Sequence, residues 1–409
     1  MLTVTRRGPA GNRALERTRG WSAWAVTAIV VGFYGLWTVA NLRHGPDGFI
    51  RLGRIFVSKS QASPAISSRA AAYHYDGEIG FDGQFAYFIA VDPGNARYYM
   101  DSPAYRYTRI VYPLTARALA LGRADLVPYT LVLVNFVMIG VGTLAVAAWL
   151  RRKAVSAWYA AIYGFYPGVL IALQRDVTEV MAYGLVAVAV YLFDFARRPL
   201  LWASVVFAIA ILTRETAAIF ALGYGLSLLF DGEGDWLGRA RRNLWRAAVF
   251  LAGCLGPIVL YKIFLLAWLG SLGFDAQIEH VPFGGILAWY PWQPAQVAEL
   301  EIVVIPAIIC GLAAIWALVW GVRRVETWML LANVLILVVF LQRPAYNHIS
   351  SSGRISTGVA LAAVLALPYF ARWFRAWFWA AATLWLWPML SLFFLPLAHG
   401  ALGALRRRF

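Results

Sequence analysis

Long apolar runs separated by short polar segments recur along most of the chain. The first run covers residues 21–42, and after a long polar interval others follow at about 126–150, 154–173, 177–195, 200–213, 215–230, 247–269, 302–320, 327–341, 355–370 and 376–397. A helix needs about 20 apolar residues to cross a bilayer. The pattern therefore predicts an all-α, polytopic transmembrane helical bundle of about 10 or 11 spans, with the shortest runs as broken or half-buried helices.

Composition agrees with a membrane protein. The chain of 409 residues is 61% hydrophobic and 14% charged, whereas soluble domains are about half apolar and a quarter charged. A net charge of +16 would suit nucleic acid if it were clustered on one soluble domain. The basic residues instead form short runs between apolar segments, at 151–153, 197–198, 239–246, 323–324 and 372–375. That distribution is typical of cytoplasmic loops, so no nucleic-acid partner is expected.

The same positive-inside rule predicts the orientation. Residues 1–20 are basic and no cleavage signature follows the 21–42 run, so we expect a cytoplasmic N-terminus and an uncleaved first span. Residues 43–125 then form an external loop carrying short interfacial helices. Residues 126–409 form the polytopic domain of a multi-pass protein in the inner or plasma membrane. An eleventh span would put the arginines at 406–408 outside, so either one weak span does not cross or the tail lies at the interface.

Ionisable residues concentrate on the predicted external face. They are Asp76, Glu78, Asp82, Asp92 and Asp101 in the first loop, Asp176 and Glu179 in the turn before the 177–195 span, and Arg214 and Glu215 between the next two spans. An ionisable side chain at membrane depth is costly and is a functional candidate by default. Arg214 and Glu215 fit that description best, because almost no polar loop surrounds them.

These groups also have structural interpretations. Asp176 would cap the following helix, with Glu179 completing a capping box. Arg214 and Glu215 would pair with each other within a tight turn.

Asp82 precedes a stretch, 83–91, in which Phe85, Phe88 and Ile89 fall on one side at helical spacing. The stretch predicts a helix lying on the membrane with its aromatic side down. Asp82 would then be the N-cap, exposed to solvent at the end of the helix.

Basic side chains form a second group on the same face. They are Arg106, Arg109, Arg175, Arg343, His348 and Arg354. Arginine is suited to a two-pronged grip on phosphate, although arginines at an interface also extend towards lipid headgroups. No histidine or cysteine spacing indicates a metal site. The predicted catalytic residues are Asp82, Asp76 and Glu179, and the predicted substrate-binding residues are Glu78, Gln84, Arg106, Arg109, Arg175, Asp176, Arg214, Glu215, Arg343, His348 and Arg354.

External carboxylates and arginines favour group transfer from a donor that the membrane delivers. A sugar on a polyprenyl phosphate meets that need, because apolar helices hold the tail and arginines hold the phosphate. The phosphate already leaves readily, so one carboxylate acting as general base on the acceptor hydroxyl would suffice for an inverting displacement. The acceptor is a glycan, a lipid or a protein. A divalent metal, Mg²⁺ or Mn²⁺, would assist the leaving phosphate, but the sequence does not require one.

The order of motifs resembles the GT-C superfamily of polytopic glycosyltransferases, particularly its PIG-V-like, mannosyltransferase-related members. The resemblance rests on Phe81-Asp82, the segment Arg109-Ile-Val-Tyr-Pro-Leu114, Thr178-Glu179 and Thr213-Arg214, and it covers about the first 230 residues. It implies a lipid-phosphate-linked donor, with mannose one candidate sugar, an outward active site and Asp82 as the leading base. The chain departs from the family in having Phe-Asp for Trp-Asp, and in the extra Tyr75-Asp76-Gly77-Glu78 unit, which leaves the choice of base open.

Three other functions remain compatible with the sequence. A transporter or flippase of lipid-linked glycan would also use intramembrane Arg and Glu, but no convincing internal repeat is present. A polysaccharide polymerase or ligase shares nearly all these features, and a non-catalytic scaffold would leave the polar positions free to vary. Trp289, Tyr290 and Trp292 would form either a sugar-stacking surface or part of an interfacial aromatic belt.

Overall fold

The computed structural model describes residues 9–43, 45–233, 235–274, 279–370 and 375–389, with side chains from residue 21 onward. No strand occurs in these ranges. The α-helices are Pro9–Leu42, Asp47–Ile50, Arg54–Ser58, Pro64–Ala70, Gly83–Val91, Pro103–Tyr107, Val111–Leu119, Val127–Arg152, Ala160–Gly164, Pro167–Gln174, Glu179–Phe195, Pro199–Thr213, Ala218–Leu229, Trp236–Leu269, Gly284–Leu287, Pro294–Glu299, Ile305–Val319, Val325–Val334, Ile349–Ile355, Thr357–Ala366 and 375–389. Short 3₁₀ turns occupy Ala96–Tyr99, Ala157–Tyr159, Glu215–Ala217, Arg343–Asn347 and Leu367–Tyr369, and π-helical turns occupy Leu300–Val304 and Leu335–Val339.

The predicted all-α polytopic bundle is confirmed. Five helices within the described ranges are long and apolar enough to cross a membrane, and they are Trp21–Leu42, Val127–Arg152, Trp236–Leu269, Pro294–Val319 and Ile349–Tyr369. Three shorter apolar helices, Pro199–Thr213, Glu215–Leu229 and Val325–Val339, pack with them. The molecule is therefore a membrane protein. The predicted span 376–397 begins as helix 375–389, and its remainder, like the arginines at 406–408, lies outside the described residues.

The run predicted at 154–173 is a broken helix. It divides into a 3₁₀ turn and the helices Ala160–Gly164 and Pro167–Gln174. Tyr166 takes an extended conformation before Pro167, as a residue preceding proline prefers, because the proline ring disfavours a helical conformation there. The chain reaches Arg175 and Asp176 through this second, short helix, which carries them to the end of the bundle that holds the candidate site.

The first loop folds around a hydrophobic core of its own. This core comprises side chains from the loop helices together with Leu131, Met181 and Leu265 of the bundle. The Phe85 ring packs edge-on against Phe56 with centroids 5.0 Å apart. The loop is thereby fixed to the bundle, which gives the polar residues at its edge defined positions.

The expected interfacial position of the helix Gly83–Val91 is wrong. All nine of its residues are buried by protein. A helix that is apolar on every side is buried rather than amphipathic, and here Gln84 is the polar exception. The Gln84 amide accepts from the Gly53 backbone and donates to the Ile79 carbonyl, both at 2.8 Å.

Two glycines let the chain segments of the first loop approach closely. A Cβ added to Gly80, whose φ is +65°, would lie 2.4 Å from the Arg51 carbonyl oxygen, and one added to Gly53 would lie 2.2 Å from that of Ile79. The Asp76 backbone NH donates to the Leu52 carbonyl at 2.8 Å and that of Phe81 donates to Arg51 at 3.0 Å. These contacts between residues 51–53 and 76–81, which we call the loop clasp, fix the position of the chain immediately before Asp82.

Candidate active site

Asp82 lies where the clasped loop enters the buried helix Gly83–Val91. It occupies the N-cap position, but its side chain makes no capping hydrogen bond, so the expected capping role is wrong. Its carboxylate instead accepts from Arg106 Nη1 at 3.0 Å and from Arg354 Nη2. The Asp82 side chain remains 30% exposed, so a ligand can reach it.

A continuous series of ion pairs extends on both sides of Asp82. Arg106 also binds Asp101 through two hydrogen bonds of 2.8 and 2.9 Å. Arg354 Nη1 lies 3.2 Å from Glu179 Oε1, and Arg214 Nη1 lies 2.9 Å from the same oxygen. The series, which we call the ion-pair chain, runs Asp101, Arg106, Asp82, Arg354, Glu179 and Arg214. It joins the first loop to three elements of the bundle.

The helix break after Thr213 explains why neighbouring charged residues have different partners. Arg214 is extended, with φ −160° and ψ 127°, and Glu215 begins a 3₁₀ turn. Arg214 therefore pairs with Glu179, whereas Glu215 accepts from Thr108 Oγ1 and lies 3.4 Å from Arg109 Nε. The expected pair between Arg214 and Glu215 is wrong.

Arg109 has a second contact that extends the site. Its Nη2 donates to the Tyr105 hydroxyl, and its guanidinium lies 4.5 Å from the centroid of the Tyr105 ring. Together with its link to Glu215, this contact ties the helix Pro103–Tyr107 to the bundle beside Asp82.

Arg175 lies next to the ion-pair chain without an acidic partner in the described part of the protein. Its guanidinium stacks 3.5 Å from the Phe81 ring centroid, and its Nε and Nη1 are buried without a hydrogen-bond partner. It lines a cavity of about 100 Å³ with Asp82, Ser350, Ser351 and Arg354. Burial, and then the neighbouring Arg51 charge, lower the Arg175 pKa to about 10. The guanidinium therefore stays charged at neutral pH and can bind an anion.

Asp176 does not form the expected capping box with Glu179. The helix Glu179–Phe195 begins at Glu179, and its N-cap, Thr178, makes no side-chain capping bond. Asp176 has a φ of +48° and is fully buried. Burial raises the pKa of Asp176 well above its usual value, which favours the protonated carboxyl.

The charges around Asp82 favour its ionised form. Burial opposes ionisation, but Arg354 and Arg106, and more weakly Arg109, lower the Asp82 pKa below its usual value. Asp82 is thus a carboxylate at every physiological pH, as a proton acceptor must be.

The remaining predicted site residues lie outside the ion-pair chain. Asp76 pairs with Arg51 at 3.2 Å and Glu78 with Arg54 at 3.5 Å, on exposed chain. The Gln84 side-chain amide is already hydrogen-bonded to the backbone of Gly53 and Ile79. Their proposed contacts with substrate stay predictions.

The last two predicted binding residues support local structure. Arg343 lies with its guanidinium 5.0 Å from the Trp289 ring, and its carbonyl accepts from the Trp289 indole at 3.1 Å. His348 Nδ1 accepts from the Ser350 backbone NH at 3.0 Å, which caps the helix Ile349–Ile355. Burial and then the Arg175 charge lower the His348 pKa, so this imidazole is a neutral neighbour of the arginines.

A divalent metal does not fit the residues around Asp82. No group of three His, Cys, Asp or Glu side chains that could hold a metal occurs in the described ranges. Asp82 and Glu179 each already contact two guanidinium groups. A cation of charge +2 would be repelled by those arginines, whereas a phosphate would be attracted.

Several residues that complete the site were not among the predicted catalytic or substrate-binding residues. They are Asp101, Tyr105 and Thr108 in the first loop and Ser350 and Ser351 before Arg354. Asp101 and Arg106 are five residues apart around a short helix, and Thr108-Arg109 repeats the dipeptide Thr213-Arg214. These two patterns are the only hints of the missing site residues that the sequence offered, and neither shows which side chains contact each other. No protein-family model, curated protein or solved structure shows significant similarity to this chain.

Proposed function

We propose that this protein is a membrane glycosyltransferase. It transfers a sugar from a polyprenyl-phosphate-linked donor to an acceptor on the external face of the membrane, with inversion and with Asp82 as general base. The observation that carries the proposal is the position of Asp82. This partly exposed carboxylate is held ionised between Arg106 and Arg354, and both arginines line a cleft with it.

The chemistry needs a carboxylate at the acceptor hydroxyl and cations at the departing phosphate. The acceptor oxygen forms a bond to the anomeric carbon of the sugar, while the bond between that carbon and the phosphate oxygen breaks. The acceptor proton goes to Asp82, and the electron pair of the broken bond leaves with the polyprenyl phosphate. Positive charge positioned in advance at the departing phosphate lowers the barrier most.

Arg175 and Arg354 are suited to hold that phosphate. Arg175 has unpartnered donors beside a cavity that also contacts Asp82 and two serine side chains. A phosphate bound there would share Arg354 with Asp82. Competition for this guanidinium would weaken the Arg354–Asp82 ion pair and make Asp82 a stronger base once the donor is in place.

The resemblance to GT-C glycosyltransferases supports the same assignment. Asp82, Glu179 and Arg214, which carry three of its motifs, all belong to the ion-pair chain. In this proposal Glu179 and Arg214 position Arg354, and membrane lipid surrounds the apolar helices that guide the polyprenyl tail.

The test uses purified protein in liposomes with a radiolabelled polyprenyl-phosphate sugar and glycan, lipid and peptide acceptors. Asp82→Asn should lower transfer about 10²- to 10⁴-fold, the usual contribution of a general base. Asp125→Asn is the matched control, since it removes an aspartate of the same loop that pairs only with Arg123 on the surface, and should keep near-normal transfer. Normal transfer by Asp82→Asn would refute the mechanism. Donor translocation by wild-type protein, without transfer to any acceptor, would establish a flippase instead.

A further inference from the structure

A larger cavity lies beside the ion-pair chain and takes no part in the proposed phosphate site. It has a volume of about 440 Å³ and opens between the first loop and the end of the helix Trp236–Leu269. The lining side chains used below are Arg97, Tyr98, Ser102, Tyr105, Ser271 and Phe274. The volume falls within the range of small-molecule sites, roughly 300 to 1,000 Å³.

Specific packing holds the two walls of this cavity together. Tyr261 donates to the Tyr107 carbonyl at 3.1 Å, and the Tyr107 ring packs edge-on against Trp268 at 5.0 Å. A Cβ on Gly273, whose φ is +66°, would lie 2.6 Å from the Ala104 carbonyl oxygen. The close approach of the walls thus requires glycine, and the cavity belongs to the folded structure.

The lining combines aromatic rings with one unsatisfied donor, on Arg97. Tyr98, Tyr105 and Phe274 provide aromatic surface. The Arg97 guanidinium lies 4.8 Å from the Tyr98 ring centroid and 5.4 Å from that of Trp268, and its Nη2 donates to the Tyr98 hydroxyl at 2.8 Å. Its Nε is buried with no hydrogen-bond partner in the described part of the chain. A buried donor without a partner in the protein is a position where a ligand acceptor fits.

This lining suits a saccharide better than a lipid chain or a peptide. The C–H faces of a pyranose ring are weakly positive and pack on the negative faces of aromatic rings. Its ring hydroxyls can accept from an arginine and bond to serine hydroxyls around the edge. A lipid chain would leave the Arg97 donor unsatisfied, which costs free energy.

One layer of side chains separates this cavity from Asp82. Tyr105, which lines the cavity, accepts from Arg109, and its ring lies 5.4 Å from the Arg106 guanidinium. Arg106 in turn donates to Asp82. We propose that the cavity between residues 97–105 and 269–274 binds the saccharide of the acceptor. The inference rests on the proposed function and deepens it by choosing a glycan acceptor over a lipid or protein.

Saturation-transfer-difference NMR tests binding directly. The probes are maltose, cellobiose and mannobiose, added to protein in a detergent without a sugar headgroup. Wild type and Asp82→Asn should both show saturation transfer to at least one disaccharide. Tyr98→Ala and Phe274→Ala should weaken its binding about tenfold or more. Tyr129→Ala is the control, because Tyr129 is an exposed aromatic residue of the helix Val127–Arg152 that does not line this cavity, and should not change the signal.

A kinetic readout separates this inference from the proposed function. Tyr98→Ala should raise KM for the bound disaccharide about tenfold and leave KM for the polyprenyl-phosphate donor unchanged. Absence of saturation transfer to all three probes, or binding unchanged in Tyr98→Ala and Phe274→Ala, would overturn the subsite. Disaccharide binding that depends on Tyr98 and Phe274, in a protein that uses no polyprenyl-phosphate donor, would uphold the subsite and remove the transferase proposal.

Discussion

Arg354 donates to the carboxylate of Asp82 across 272 positions of sequence. The same guanidinium contacts the buried Glu179 at 3.2 Å. One side chain of the C-terminal half therefore links the first-loop carboxylate to the bundle interior. The position of the Asp82 carboxylate therefore depends on helices that are distant in sequence. A substitution in any of them that moves Arg354 would also change the environment of the candidate base.

Glu179→Gln should strongly destabilise the protein. Glu179 is fully buried and its carboxylate contacts both Arg214 and Arg354. Removing its charge leaves Arg214 without a paired carboxylate and Arg354 with Asp82 alone, and breaking a buried pair in this way costs about 3–5 kcal/mol. Thermal unfolding in detergent, followed by size-exclusion chromatography, measures the loss.

Two further variants test the cause of that loss. Glu78→Gln removes an exposed pair with Arg54 and should change stability by about 1 kcal/mol or less. Adding Arg214→Met to Glu179→Gln removes one orphaned cation and should recover part of the stability. Equal unfolding temperatures for Glu179→Gln and Glu78→Gln would contradict a buried ionic link.

Asp176 should tolerate asparagine but not valine. Burial raises the pKa of its carboxyl and so favours the protonated, neutral form, and its φ of +48° lies in the left-handed region. Asparagine matches a neutral carboxyl in shape and adopts this conformation readily, whereas valine has a branched Cβ that clashes there. Thermal unfolding should show little change for Asp176→Asn and a loss of about 2 kcal/mol or more for Asp176→Val.

Asp125→Val provides the control for backbone strain. Asp125 is outside the left-handed region and pairs with Arg123 at 2.8 Å on the surface, so valine there should cost little. An Asp176→Asn protein as unstable as Asp176→Val would show that the native carboxyl is ionised.

The positions of the helices could be predicted from the sequence better than the ion-pair partners of the charged side chains. Apolar runs of about 20 residues are a local property, so the spans 21–42 and 126–150 match helices Trp21–Leu42 and Val127–Arg152 closely. The burial of Gly83–Val91 could also have been predicted, because apart from Gln84 that stretch is apolar on every side of the helix. The three apolar positions at helical spacing, Phe85, Phe88 and Ile89, instead led to the prediction of a helix with one apolar side.

Charge pairing could not be predicted in the same way. Arg214 and Glu215 are adjacent in sequence, yet the extended backbone at Arg214 sends their side chains to Glu179 and to Arg109. That outcome depends on how the first loop and the helices around Glu179 and Arg214 pack in three dimensions. The resemblance favoured Asp82 over Asp76 as the base, but it did not indicate that Asp76 pairs with Arg51 and Asp82 with Arg354.

Cysteine labelling should place the first loop outside the cell. The native Cys254 and Cys310 are buried, so a membrane-impermeant maleimide should give a low background. Gln61→Cys, at an exposed loop position, should label in intact cells. Glu233→Cys, in an exposed loop that we expect to be cytoplasmic, should label only after permeabilisation. Labelling of Glu233→Cys but not Gln61→Cys in intact cells would reverse the predicted topology and contradict an external active site.

Arg106→Gln should shift the acid limb of transfer to higher pH. Burial favours the protonated form of Asp82, and the charges of Arg354 and Arg106 outweigh it to hold the pKa low. Without Arg106 the Asp82 pKa rises, because one of those opposing charges is gone. A general base works only when ionised, so the pH below which kcat/KM falls should increase by roughly 1 to 3 units.

The matched control for this shift is Arg54→Gln, which removes an arginine of the same loop that pairs with Glu78. Its acid limb should coincide with that of the wild type, because Arg54 does not contact Asp82. The Asp82 pKa lies below its usual value, so kcat/KM is measured between about pH 2 and pH 8 to include the acid limb. Proteins of equal folded fraction are compared, so that the limb reports titration of Asp82 rather than unfolding. An Arg106→Gln profile that loses rate equally at every pH would mean that the titrating base is another group, and Asp76 and Glu179 would then be the residues to replace next.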